Sequence, residues 1–292
     1  MIAGGYLWNG THYVFAIARF NLGGTFDNSF SNDGKQISAF GIGTSLAIQS
    51  DGKIVLGGTA IDSVTGNVDF AVLRYKTNGD LDSTFGINGI ITTDFGDHDE
   101  IYSIAIQNDG DIVAADYATI DYGSHKSAVI AVARYTPTGR PNFTFTNIGN
   151  PANNSEVGLS TTIQNDGKIV VAGYITVLIT NPFPGEPTYN SKMTCIRLNT
   201  DGSPDNTFSN FTSPLSYEYA SSVVIQNDDK IVLAGTNFFN PAFVIARLNT
   251  GGSADNSFNG NGRVSTAFDS VTKTSIALQA DGKIILVVEL WI

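Results

Sequence analysis

The 292-residue chain sets 27 acidic residues against 16 basic ones, for a net charge of −11 and a pI near 4.5, a balance that opposes binding to a phosphate backbone. It is 42% hydrophobic, with 31 glycines and only 15% charged residues, which fits turn-rich β structure with a substantial core and argues against helical repeats. A single cysteine excludes an internal disulfide, and Cys195, set in Met193-Thr194-Cys195-Ile196, reads as a small buried hydrophobe. No stretch has the length of a membrane-spanning helix, and Met1-Ile-Ala-Gly-Gly-Tyr6 lacks the pattern of a secretory leader. Membrane insertion is therefore not expected.

In chain order, the first segment, Met1–Tyr6, reads as a strand, followed by an apolar run ending at Arg19. The next unit shows a full set of four strand-like segments, Ser45–Gln49, Lys53–Thr59, Phe70–Tyr75 and Gly89–Phe95. Its first two are joined around Asp51-Gly52, a strong hairpin signal because both turn positions favour residues that tolerate positive φ. The pattern IQxDGKI then returns, with Gln49, Gln107, Gln164, Gln226 and Gln279 spaced 58, 57, 62 and 53 residues apart. An Arg closes the apolar run of each unit (Arg19, Arg74, Arg134, Arg197, Arg247), and a Phe always follows 11 residues later. The chain ends in a further pair of strand-like segments, Ser275–Gln279 and Lys283–Ile292. Self-similarity at a fixed period marks a repeat architecture.

Four short antiparallel strands per unit describe a propeller blade, so the expected fold is all-β: a β-propeller of about five four-stranded repeats of roughly 50–60 residues, forming one domain over 1–292. A parallel β-helix, which needs shorter turns, is the second choice. Counting gives five first strands and six second strands, consistent either with a closed five-blade ring holding one redundant strand or with part of a longer array. Unsealed edges in the second case would invite self-association.

IQNDGKIVVAG at Ile163, FAVLRY at Phe70, the DGSxDxTF segment at Asp201 and the strand after it together resemble the bacterial delta-60 repeat family, described as a β-propeller domain of unknown function. The resemblance spans essentially the whole chain. It implies a propeller fold and an extracellular or cell-surface setting, and it brings no activity, cofactor or catalytic residue. Two departures stand out. Asp229 replaces the turn glycine of one hairpin, where Asp tolerates positive φ at some cost. Asp111 replaces the lysine of another.

Length variation sits chiefly in the segment between second and third strands, where 21, 23, 29 or 17 residues separate turn position 53, 111, 168 or 230 from the next Arg. Function resides preferentially in variable loops on a rigid scaffold. The face formed by these loops and the inter-blade linkers is the candidate surface, carrying Trp8, His12, Tyr13, Tyr122, His125 and Tyr189, with Asp99, Glu100, Glu156, Glu218 and Tyr219 from the linkers. Aromatics beside carboxylates suit a glycan, because apolar sugar faces stack while hydroxyls donate to acids. Solvated turn residues are the plainer reading of the same pattern.

Each Arg is followed eight residues later by an acid, in Arg19/Asp27, Arg74/Asp82, Arg197/Asp205 and Arg247/Asp255, with Arg134 facing Asn142. A feature repeated in every blade is expected to fix a corner of the fold. Asp201 and Asp205 have the spacing of calcium ligands but lack the bidentate Glu of the usual loop, so no metal is assigned. The three histidines fall in different units without zinc spacing, and no nucleophile elbow or P-loop occurs. The expected function is a non-enzymatic binding or structural repeat module without a cofactor, its partner a glycan or a protein. A hydrolase using the linker acids and an inert spacer are the alternatives.

Overall fold

The structure is a computed structural model that describes residues 1–61, 66–123, 126–147, 155–179, 188–268 and 271–290. The described residues form strands and turns, with no helix among them. They divide into two compact units, one comprising 1–126 and 131–146, the other 127–130 and 147–292.

The first unit opens with a three-stranded antiparallel sheet of β1 (Ile2–Trp8), β2 (Tyr13–Arg19) and β3 (Lys35–Phe40). A four-stranded blade follows, made of β4 (Ile42–Ile48), β5 (Ile54–Ile61), β6 (Val68–Tyr75) and β7 (Ile90–Thr93). These are the four segments expected in the second repeat, with boundaries moved by a few residues. The next blade contains β8 (His98–Ile106), β9 (Ile112–Asp121), β10 (Lys126–Tyr135) and β11 (Pro141–Asn147). One parallel bridge, Val68 to His98, ties β6 to β8.

The second unit holds two more four-stranded sheets and a hairpin. The first sheet is β12 (Ser155–Ile163), β13 (Ile169–Ile179), β14 (Thr188–Leu198) and β15 (Phe211–Thr212). The second is β16 (Glu218–Ile225), β17 (Ile231–Asn237), β18 (Ala242–Leu248) and β19 (Arg263–Ala267), followed by the pair β20 (Val271–Leu278) and β21 (Ile284–Leu290).

Period-2 apolar strands buried on both faces explain why the sheets stack. In the first unit Phe15, Ile17 and Phe30 pack against Ile54, Leu56, Ala71, Leu73 and Tyr75 of the next sheet. In the second, Val170, Ala172, Met193 and Cys195 meet Ile231, Leu233, Val244 and Leu248. Burial pushes the Cys195 thiol up to about 12, which leaves it an inert hydrophobe.

Each first strand carries a β-bulge, for example between Gly43 and Ser45, Gly158 and Ser160, and Ala220 and Ser222. The bulge turns a serine hydroxyl toward the neighbouring sheet. Ser45 Oγ accepts from Ile104 N at 3.0 Å, Ser160 Oγ from Val223 N at 3.2 Å and Ser222 Oγ from Ile276 N at 3.2 Å. A glycine on the second strand faces each bulge. A Cβ at Gly58, Gly173 or Gly235 would lie 1.9, 1.8 or 1.8 Å from a backbone carbonyl oxygen, so the local geometry requires glycine there.

Candidate functional site

The DG-turn end of the sheets is a repeated polar lattice. Arg19, Arg197 and Arg247 each place Nε 2.8 Å from the carboxylate of Asp27, Asp205 and Asp255, and Arg74 Nη2 lies 2.9 Å from Asp82. The constant spacing of 11 residues seats a phenyl ring under each of these guanidinium groups, at 4.8 Å for Arg19 over Phe30, 4.4 Å for Arg74 over Phe85, 4.6 Å for Arg197 over Phe208 and 4.7 Å for Arg247 over Phe258. The same guanidinium groups reach the following repeat, where Arg19 donates to Thr77 O, Arg74 to Pro137 O and Arg197 to Thr250 O. The repeated glutamine has a similar role: Gln49 Nε2 donates to Gly110 O and Gln164 Nε2 to Asp229 O, both at 3.3 Å. Asp229 adopts φ 60° at that turn, the left-handed conformation that Asp tolerates.

The odd repeat keeps the lattice by exchanging charges. In three other repeats a lysine from the hairpin turn joins the Arg–Asp pair, with Lys53 3.6 Å from Asp82, Lys168 3.2 Å from Asp205 and Lys230 3.2 Å from Asp255. In the β8–β11 blade the lysine position is Asp111 and the aspartate position is Asn142. Arg134 Nη2 pairs with Asp111 at 2.8 Å, and Asn142 Nδ2 donates to the same carboxylate at 2.8 Å. Asp111 in place of lysine and Asn142 in place of aspartate are thus one compensated swap.

These contacts consume the oxygens of the Asp201/Asp205 loop. Asp201 Oδ1 accepts from Ser203 N and Oγ, and Asp205 Oδ1 accepts from Thr207 while Oδ2 faces Arg197 and Lys168. Desolvation acts to raise the Asp205 carboxyl, but the Thr207 hydrogen bonds and the two cations prevail and hold it well below the usual range.

At the opposite, variable loops the exposed groups are aromatic. Trp8 and Tyr13 flank the β1–β2 turn with ring centroids 5.2 Å apart, and Tyr6 meets Tyr13 edge to face at 5.4 Å. His12 lies against Phe40 at 3.7 Å and shares hydrogen bonds with Asn9 and Thr11. Around the β17–β18 turn, Tyr217 stacks on Phe239 at 4.8 Å and meets Phe238 at 5.4 Å, with Tyr219 6.1 Å from Phe238. Phe238 and Phe239 were not singled out from the sequence, although an adjacent phenylalanine pair in a short loop was the available signal. Tyr122 is half-buried. His125 and the side chain of Tyr189 lie outside the described residues.

The linker acids are not the displayed loop carboxylates expected from the sequence. Asp99, Glu156 and Glu218 sit within strands β8, β12 and β16, where Asp99 and Glu218 are fully buried and Glu156 is half-buried. Strand pairing begins at Glu218 and just before Asp99 and Glu156, and places them in the sheets. Glu218 is neutralised by Arg263 and accepts from Ser213 Oγ. It forms part of the wall of a small cavity of about 250 Å³, lined mainly by Met193, Phe211, Leu215, Val244 and Arg263. Glu100 is half-buried and 2.9 Å from His98 Nε2.

The fold is therefore an all-β propeller class built from four-stranded repeats with a polar lattice at one end of each sheet. The model of a domain of unknown function described as a β-propeller, DUF5122, matches residues 1–30, 49–85, 164–181, 196–208 and 226–258. No curated protein matches. Among solved structures, a protein of unknown function from Dyadobacter fermentans is similar at 12% identity and a TM-score of 0.48, over 83% of this chain and 73% of that one. A second protein of unknown function, from Bacteroides caccae, gives 11% identity and 0.43 over 89% and 82%. A GH32 β-fructofuranosidase from Bombyx mori gives 12% and 0.42 over 84% and 54%.

Proposed function

We propose that the chain is a non-catalytic binding module of an extracellular or surface protein, with a glycan as its ligand class. The observation that carries this reading is the β1–β2 hairpin, where Tyr6, Trp8 and Tyr13 brace one another and yet remain 53%, 57% and 42% exposed. Rings held rigid but left in water form a platform on which the apolar face of a sugar stacks at small entropic cost. The β17–β18 turn repeats the arrangement, with Phe239 66% exposed. A hydrolase needs two carboxylates that reach a glycosidic bond, and the burial of Asp99 and Glu218 supports the non-catalytic reading. The extracellular or surface setting rests on the resemblance to delta-60 repeats.

Calorimetric titration of the purified chain with an oligosaccharide panel tests the reading. The expected result is saturable binding of one glycan class, weakened about tenfold (~1.4 kcal/mol) in Trp8→Ala or Phe239→Ala. A panel without heat favours the inert spacer and sinks the proposal. Turnover of a bound glycan that Glu156→Gln abolishes would replace it with the hydrolase.

A further inference from the structure

The linker before β8, Asp94-Phe-Gly-Asp-His-Asp-Glu100, is the most acidic of the chain. Folding brings two of its acids to a third. Asp69 lies on β6, Asp94 directly follows β7 and Asp99 is in β8, and each offers a carboxylate oxygen within 4.8 Å of the other two. Acidic groups cluster on many surfaces without consequence, so proximity alone decides nothing.

Asp99 makes this cluster different. It is fully buried; its Oδ2 accepts from Phe95 N at 2.6 Å, and its Oδ1 has no hydrogen-bond partner. Among the described residues no lysine or arginine pairs with it, and the nearby Lys126 is committed to Asp97. The equivalent position of a later repeat shows the usual solution. Glu218, like Asp99, stands eight residues before its repeated glutamine and is fully buried, but Arg263 neutralises it. A buried carboxylate without a counter-charge is costly, and here two further carboxylates face it. Burial first, then the charges of Asp94 and Asp69, push Asp99 up to about 6.

We propose that Asp69, Asp94 and Asp99 hold a divalent cation of the calcium class, which supplies the positive charge that Arg263 supplies to Glu218. The donor set is all carboxylate, which selects a hard cation over zinc or copper. Calcium takes several carboxylates in flexible geometry, whereas magnesium demands near-ideal octahedral geometry and keeps several of its waters, so three converging carboxylates favour calcium. Asp94 is exposed, which gives the ion a path from solvent, and its Oδ1 caps Gly96 N, leaving Oδ2 for the ion. The ion would staple the third and fourth strands of one blade to the first strand of the next. This site is independent of the glycan platform.

The test is calorimetric titration of the 292-residue chain with calcium chloride and with magnesium chloride, together with thermal melts in calcium and in EDTA. The expected result is one saturable calcium site, a higher melting temperature in calcium, and weaker response to magnesium. Asp94→Asn retains the Gly96 cap and is expected to fold with an unchanged circular dichroism spectrum, while calcium affinity drops about tenfold or more through loss of ligand charge. Asp69→Asn serves as a second variant should the first unfold. No calcium binding to the parent chain, binding undiminished in both variants, or binding lost instead in Asp201→Asn would each overturn the proposal.

Discussion

The two ends of the sheets follow opposite rules. At the DG-turn end the repeats other than the β8–β11 blade use the same residues for the same contacts, guanidinium on phenyl ring and carboxylate on guanidinium, and Gln49 and Gln164 each reach the next turn. At the loop end between second and third strands, length and composition change from repeat to repeat, and the exposed groups are aromatics that touch mainly one another. A residue's recurrence here reports a bond between neighbouring sheets, whereas departures from the repeat mark either compensation, as at Asp111 and Asn142, or an exposed, variable surface.

The largest effect is expected at Arg74, buried with Asp82. Arg74→Ala strands the carboxylate, removes the contact with Phe85 and frees Pro137 O, with an expected loss of about 3–5 kcal/mol in urea denaturation. A smaller effect is expected in the compensated repeat. Asp111→Lys alone sets a cation beside Arg134 and leaves only the exposed Asp109 to pair with it, and Asn142→Asp alone crowds two carboxylates. The double variant restores the arrangement of the sister repeats, so a double-mutant cycle is expected to show favourable coupling of about 1–3 kcal/mol.

A pH titration of stability separates the ends of the β8 strand from the lattice. In EDTA, with no cation at the site, Asp99 has its folded value raised to about 6 by burial against 3.8 for a free carboxyl, so the folded state binds the proton more tightly than the unfolded chain. Its contribution is greatest below pH 3.8 and is lost as the pH rises to about 6, a loss that Asp99→Asn is expected to abolish. Asp205 and Asp255 run the other way. Desolvation of Asp205 is outweighed by its hydrogen bonds and cations, and the Ser257 hydroxyl leads the lowering at Asp255, so their stabilisation is present above 3.8 and fades as the pH falls. Least of all, Phe239→Ala at the exposed loop is expected to move stability by no more than about 0.5 kcal/mol in the same denaturation assay.

Much of this was legible in residue spacing. DG turns fixed the hairpins because positive φ admits few residues, and the eight-residue interval between Arg and Asp marked a local corner. The phenyl ring under the guanidinium was visible only as a constant interval of 11, without its meaning. Burial of Asp99 and Glu218 was not legible. Both adjoin turn residues, and their surroundings come from far along the chain: Arg263 is 45 residues from Glu218, and Asp69 is 30 from Asp99. A linear pattern cannot report a partner that only sheet pairing delivers.

Within each unit the straps described above join a repeat to its successor: Ser45 to Ile104, Gln49 to Gly110, Arg197 to Thr250. Under tension applied at its ends, such a chain has natural rupture points one repeat apart. Single-molecule pulling is then expected to yield a sawtooth whose teeth each release about 57 residues, as in the interval from Gln107 to Gln164, or roughly 190–205 Å of contour length. Links in series carry the same load, so the weakest strap is expected to yield first and the others to follow in order of strength.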